Sequence, residues 1–184
     1  MITVVAMFRA INVGGRNVLP MKGLVALLEE LGACRVRTYI QSGNAVFDLP
    51  GQRDRTAFPG QLAEAIASGY GFQPAIILMG LDDLDRAIND NPFPDAADET
   101  SRLHFGFLAS QPDHPDLQKL ETLRAPSERF HLSHGVFYLD APEGVGRSKL
   151  AAGAERLLGV AMTDRNWKTV RKIRELADAS ETTG

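Results

Sequence analysis

Apolar and polar positions alternate along this chain in blocks that change period, and the blocks can be read as elements. Ile2–Phe8 (ITVVAMF) is a short apolar, β-branched run closed by Arg9, the pattern of a buried strand. A polar loop with glycines follows over 10–19. Pro20 then suits the first turn of a helix in which Leu24, Leu27, Leu28 and Leu31 recur at helical spacing until Gly32 stops it. Residues 36–40 and 45–49 read as two strands around Gln41-Ser42-Gly43-Asn44, which predicts a hairpin. Phe58, Leu62, Ala65, Ile66 and Tyr70 mark a second helix. Residues 74–79 (PAIILM) form another buried strand, and 81–88 a short helix capped by Asp82 or Asp83. The first half therefore reads β-α-β-β-α-β-α.

The second half repeats that order. Leu103–Leu108 is a strand, 116–123 a helix behind Pro115, and 129–132 with 136–139 a hairpin. Residues 148–158 form a helix and 160–162 a short strand. A terminal amphipathic helix over 164–176 is capped by Asp164 or Thr163. The hairpin sequences YIQSGNAVFDLP and FHLSHGVFYLDAP align, with Ser42 facing Ser133. The expected architecture is α+β, two similar ferredoxin-like β-α-β-β-α-β units in tandem, each followed by a helix. The expected boundaries are 1–90 for the first unit, 91–102 for an acidic, proline-containing connection, 103–178 for the second unit with its C-terminal helix, and 179–184 for a tail.

Composition narrows the class without choosing a function. The chain has 184 residues, of which 44% are apolar and 23% charged, enough to bury a core without disulfide or metal. Its single cysteine, Cys34, cannot form an internal bridge and is expected to be a small buried residue in a reducing compartment. No apolar run reaches membrane-spanning length and the N-terminal segment lacks the layout of a signal peptide, so the expected location is cytoplasmic, with no membrane partner. The net charge of -3 argues against a protein that coats nucleic acid, yet it hides a polarity. Residues 82–99 hold seven acidic residues and one basic, Arg86. Residues 144–174 carry Arg147, Lys149, Arg156, Arg165, Lys168, Arg171, Lys172 and Arg174 against only Glu155 and Asp164.

Three segments could carry chemistry. The loop from Arg9 to Asn17 is longer than most connections, and with Arg9, Asn12, Gly14, Gly15 and Arg16 it combines close backbone approach, N–H donors and guanidinium forks. The structural alternative is a long turn that uses its glycines for positive φ. Gln41, Ser42 and Asn44 are more polar than a hairpin turn requires, although the turn alone would account for them. Gly144 to Lys149 leads into a helix with Arg147, Ser148 and Lys149 at its start. Cations there oppose the helix dipole by about 0.3–1 kcal/mol each unless an anion is bound, whereas Ser148 alone could be an ordinary cap. Arg165 and Asn166 open the last helix in this reading. Its Trp167, Val170, Ile173 and Ala177 form a stripe suited to packing on a sheet. No dinucleotide fingerprint, P-loop or nucleophile elbow occurs, and the four histidines suggest no metal site, so neither cofactor nor metal is expected.

Taken together, FRAINVGGRNVLPM, VRTYIQSGNAVFD, GVGRSKL and TDRNWKTVRKIREL resemble the domain-of-unknown-function family 1697, small bacterial proteins, in order from about Val4 to Leu176. The resemblance implies an α+β fold of two similar subdomains and assigns no reaction. It carries over to Arg9, Asn12, Gly14, Gly15, Met21, Tyr39, Gln41, Ser42, Gly43 and Asn44, and to Gly146, Arg147, Ser148, Lys149, Arg165, Asn166, Trp167 and Thr169. Arg16-Asn17-Val18-Leu19-Pro20 stands where the family commonly has a lysine-rich segment. The leading expectation is an anion site for a nucleotide, phosphorylated metabolite or nucleic-acid segment, formed where the Arg9 to Asn17 loop and the Arg147 to Lys149 helix start converge. In it Arg9, Arg16, Arg147, Lys149 and Arg165 hold phosphate, and Asn12, Gln41, Ser42 and Asn44 orient the rest. The alternatives are a phosphoryl- or acyl-transfer enzyme with Ser42 or Ser148 as nucleophile, and an interaction module that pairs the acidic connection with the basic last helix.

Overall fold

A computed structural model describes residues 1–39, 43–51, 54–99 and 101–178. The elements run β1 (Ile2–Phe8), α1 (Met21–Glu30), β2 (Cys34–Tyr39), β3 (Asn44–Leu49), α2 (Asp54–Tyr70), β4 (Ile76–Gly80) and α3 (Leu81–Asn89). A 3-10 turn at Pro94–Ala97 precedes β5 (Leu103–Leu108), α4 (Leu117–Leu123), β6 (Arg129–Ser133) and β7 (Val136–Asp140). A second 3-10 turn, Val145–Arg147, leads to α5 (Lys149–Leu158), β8 (Met162–Asn166) and α6 (Trp167–Asp178). The strands form two antiparallel four-stranded sheets of identical order, β2-β3-β1-β4 and β6-β7-β5-β8. The chain is two similar β-α-β-β-α-β units in tandem, each followed by a helix. One unit holds residues 1–85 and α6 from Lys172 onward; the other is Arg86–Arg171.

The likeness of the units extends to single hydrogen bonds. The amide of Phe8 donates to the Gly43 carbonyl at 2.9 Å, and that of Leu108 to the Gly135 carbonyl at 2.9 Å. One residue further on, Arg9 donates to Ala75 and Ala109 to Ala161, again at 2.9 Å. Gly43 and Gly135 both have positive φ, +85° and +78°. At Gly43 there is also no room, because a Cβ would lie 2.6 Å from Ile11 Cδ1 and 2.7 Å from Phe8 Cβ. Only glycine answers both constraints.

Alternation within the central strands divides their side chains between two faces. In the first unit Val4, Ala6 and Phe8 of β1 and Ala45, Phe47 and Leu49 of β3 meet Leu24 and Leu28 of α1 and Phe58, Leu62 and Ile66 of α2. In the second, Phe137 and Leu139 meet Leu120 of α4 and Leu150, Ala154, Leu157 and Leu158 of α5. On the other face of that sheet Trp167 stacks on Phe105 with ring centroids 5.4 Å apart, and the Tyr138 hydroxyl donates to the Ala87 carbonyl of α3 at 2.9 Å. This explains why β5 and β7 are buried at every position rather than at every second one.

Two sequence expectations are corrected. Cys34 is exposed: it opens an edge strand, and Ala33 takes the buried position beside it. The last helix begins at Trp167 rather than Asp164, and the strand before it is Met162–Asn166 rather than 160–162. Asp164, Arg165 and Asn166 look like a helix start in isolation. Antiparallel pairing with β5, from His104↔Asn166 to Leu108↔Met162, satisfies an otherwise bare sheet edge and decides the matter. The cap is accordingly Asn166, whose Oδ1 accepts from the Thr169 amide at 2.9 Å, and not Thr163 or Asp164.

Candidate anion site

The second unit contains a cleft of about 390 Å³ between the start of α5 and the α4–β6 connection. Ser148 is the N-cap of α5, its Oγ accepting from the Ala151 amide at 2.9 Å. This leaves the N–H groups of the first helical turn without a carbonyl one turn earlier to accept them. Lys149 is the first helical residue. Arg147 belongs to the 3-10 turn, not to the first turn of α5 as the sequence suggested, because Gly144 (φ +92°) redirects the chain and Ser148 is extended at the cap. Both cations are exposed, and among the described residues neither is engaged in an ion pair.

The opposite wall is acidic and already bonded. The Ser127 hydroxyl donates to Glu143 Oε1 at 2.9 Å. Glu128, 4% exposed, accepts the Ala125 amide through Oε2 at 2.8 Å. The two carboxylates are thus occupied by local donors while the two cations face the cleft without a partner. Ser127, Glu128 and Glu143 carry no signal in the sequence that would single them out.

The first-unit loop is a small hairpin. The Arg16 amide donates to the Val13 carbonyl at 3.1 Å across Gly14 and Gly15, whose φ values of +59° and +73° suit a tight two-residue turn. Asn12 spans its base, donating from Nδ2 to the Leu19 carbonyl at 2.9 Å and accepting the Leu19 amide at 2.8 Å. Asn17 likewise donates to the Ala10 carbonyl at 3.0 Å. The Asn12 side chain, which sequence reasoning assigned to a ligand, therefore holds the loop in shape together with Asn17. Arg9 and Arg16 are exposed, as are Val13 and Val18 at 60% and 58%. Gln41 and Ser42 lie outside the described residues. Asn44 is buried as the first residue of β3 and donates to the Tyr39 carbonyl at 3.2 Å.

Arg165 and Asn166 sit in β8. Arg165 is half-buried, and burial, offset in part by Asp164, pushes its guanidinium down to about 10, so it keeps its charge at neutral pH. The charge polarity of the sequence is met in part within the first unit, where Arg174 of α6 pairs with Asp85 of α3 and with Asp178. Two buried aspartates escaped the sequence reading. Asp48 at the end of β3 accepts from Thr3 at 2.8 Å and pairs with Arg35 of β2. Asp140 at the end of β7 accepts from Arg102 at 2.6 Å and from Arg129 of β6 at 2.7 Å. Burial works against the Asp140 carboxylate, yet the two guanidiniums outweigh it and hold its pKa below the usual carboxylate range. A single acid closing each apolar run, NAVFDL and VFYLD, was the available signal. Among the described residues no group of three or more metal-ligating side chains is present, and no helix is long and apolar enough to cross a membrane.

These features define a tandem ferredoxin-like α+β protein with a polar cleft in its second unit. The chain belongs to the family described as protein of unknown function (DUF1697), whose model matches residues 1–138. The matched segment ends within β7, short of the cleft's basic wall. The fold is shared with the conserved bacterial protein SP0830 from Streptococcus pneumoniae at 24% identity and a TM-score of 0.72, over 96% of this chain and 98% of that one. No curated protein matches the chain.

Proposed function

We propose that this protein binds a phosphate-bearing small molecule, such as a nucleotide or phosphorylated metabolite, in the cleft at the start of α5. The observation that carries this reading is the pairing of two exposed, unengaged cations, Arg147 and Lys149, on one wall of a cleft of about 390 Å³. A volume in that range suits a small ligand better than a polymer. The anion would relieve the dipole mismatch of Lys149 and give the Lys149 and Leu150 amides an acceptor. The Ser127–Glu143 side offers acceptors for hydroxyl or amino groups on the same ligand.

The test is calorimetric titration with pyrophosphate and with a nucleoside triphosphate, on the native chain and on Arg147→Ala/Lys149→Ala. Binding that weakens at least about tenfold in the variant supports the reading, in line with two lost charge-assisted hydrogen bonds. Equal affinity in both proteins, or none in either, overturns it. Stronger binding to an oligonucleotide, with a salt slope that falls by about one per lost phosphate contact in the variant, would move the ligand class to nucleic acid. Catalysis by Ser148 has less support: among the described residues its oxygen is bonded to the Ala151 amide and to no histidine or carboxylate.

A further inference from the structure

We propose that His104 is a proton-operated latch: as imidazolium it fastens the segment that leads into β5, and on losing its proton it releases that segment. The ring lies between two groups that only accept. Its Nδ1 is 2.7 Å from Asp164 Oδ2 on β8, and its Nε2 is 3.0 Å from the Ser101 carbonyl. A neutral imidazole owns one N–H and can satisfy one of them; the imidazolium owns two and satisfies both. The ring is 6% exposed, so water cannot readily take over the bond that a neutral ring gives up.

The charges around the ring are few. Asp164 is the carboxylate that bonds it. Its cross-strand neighbours, Leu139 on β7 and Asn166 on β8, are uncharged. Arg102, two residues earlier, is turned to Asp140, and Arg165 donates to Asp164's own carbonyl at 2.7 Å. Burial disfavours the charged ring, but the Asp164 hydrogen bond and charge, helped by the Ser101 carbonyl, raise its pKa above the ordinary histidine value. When the proton leaves to bulk water, the charge-assisted bond to Asp164 is the stronger of the two and keeps the remaining N–H. The Nε2 lone pair then faces the Ser101 carbonyl, and two acceptors repel. The contacts released are the Arg102 amide on the Glu99 carbonyl at 3.0 Å and the Arg102 carbonyl that holds the Ala141 amide at 2.9 Å. This latch is independent of what the cleft binds.

Long-range proton–nitrogen spectra of the full chain, labelled in histidine and titrated over about pH 5 to 9, test it. Both His104 ring nitrogens are expected at imidazolium positions at the acid end of the titration, with a midpoint above the ordinary histidine value that Asp164→Asn lowers. As His104 deprotonates, amide-exchange protection at Arg102 and Ala141, corrected for intrinsic base catalysis, is expected to fall about tenfold while Phe105 and Phe107 keep theirs. A His104 midpoint at or below the ordinary histidine value overturns the latch. So does protection at Arg102 and Ala141 that stays level through the His104 titration.

Discussion

Gly43 is where the demands on one residue are sharpest. Its φ of +85° and the 2.6 Å approach of Ile11 act together, so Gly43→Ala forces a left-handed alanine and displaces packed apolar carbons. The expected loss is about 1–3 kcal/mol, read as a lower midpoint in urea with an unchanged slope. Asn12 presents a different case, since its amide does what strand pairing would do elsewhere. Asn12→Ala removes both bonds to Leu19 at a cost of about 1–2 kcal/mol and should expose the Val13–Arg16 tip to limited proteolysis well before the rest of the first unit is cut. Cleavage at an unchanged rate would mean that buried Ile11 and Leu19 hold the loop by themselves.

At the scale of elements, what the sequence conveyed depended on whether packing agreed with local pattern. Leu103–Leu108 and Ile2–Phe8 were legible to the residue because burial on both faces leaves a run in which only His104 and Thr3 are not apolar. Met162–Asn166 was not, because nothing in Asp164-Arg165-Asn166 favours a strand; the pairing partner lies about sixty positions earlier in β5. The site divides along the same line. Arg147, Ser148 and Lys149, which line the cleft, stood out because their sequence reads as cations at a helix start, where the dipole disfavours them. Glu128 and Glu143 could not, since only the return of β7 toward α4 brings them to the same cleft. Asn12 misled because an amide that pins its own loop and an amide that faces a ligand look alike in sequence. The cap on α5 separates structure from binding by experiment. Ser148→Ala should cost about 1 kcal/mol of stability and Ser148→Asn should restore most of it, whereas Arg147→Ala should leave the unfolding midpoint within error.

For the molecule as a whole, two buried ionisable groups bound the pH range of greatest stability from opposite sides. Asp140 has a folded pKa below its unfolded one, so its contribution is present above about pH 4 and is lost as pH falls through the folded value. His104 has a folded pKa above its unfolded one, so its contribution is complete below about pH 6.5 and is lost as pH rises through the folded value. Thermal midpoints are expected to peak between these limits. Asp140→Asn should flatten the acid limb and His104→Gln the alkaline limb, and a profile unchanged by either substitution would remove the assignment. Asp140 is the more consequential of the two, because Arg129 extends its reach to Asp95 at 2.6 Å and lies over the Phe93 ring at 4.7 Å, pinning the 3-10 turn to the sheet.

The last helix also has a consequence for the order of events during synthesis. Residues from Lys172 onward belong with 1–85, to which they are tied by the Arg37 guanidinium on the Leu176 carbonyl at 2.9 Å, across 139 positions, and by Arg174 on Asp85, across 89. The ribosome releases the whole of Arg86–Arg171 before it supplies them. The half that emerges first is therefore the half completed last, and until then it carries an open seat for a helix not yet made.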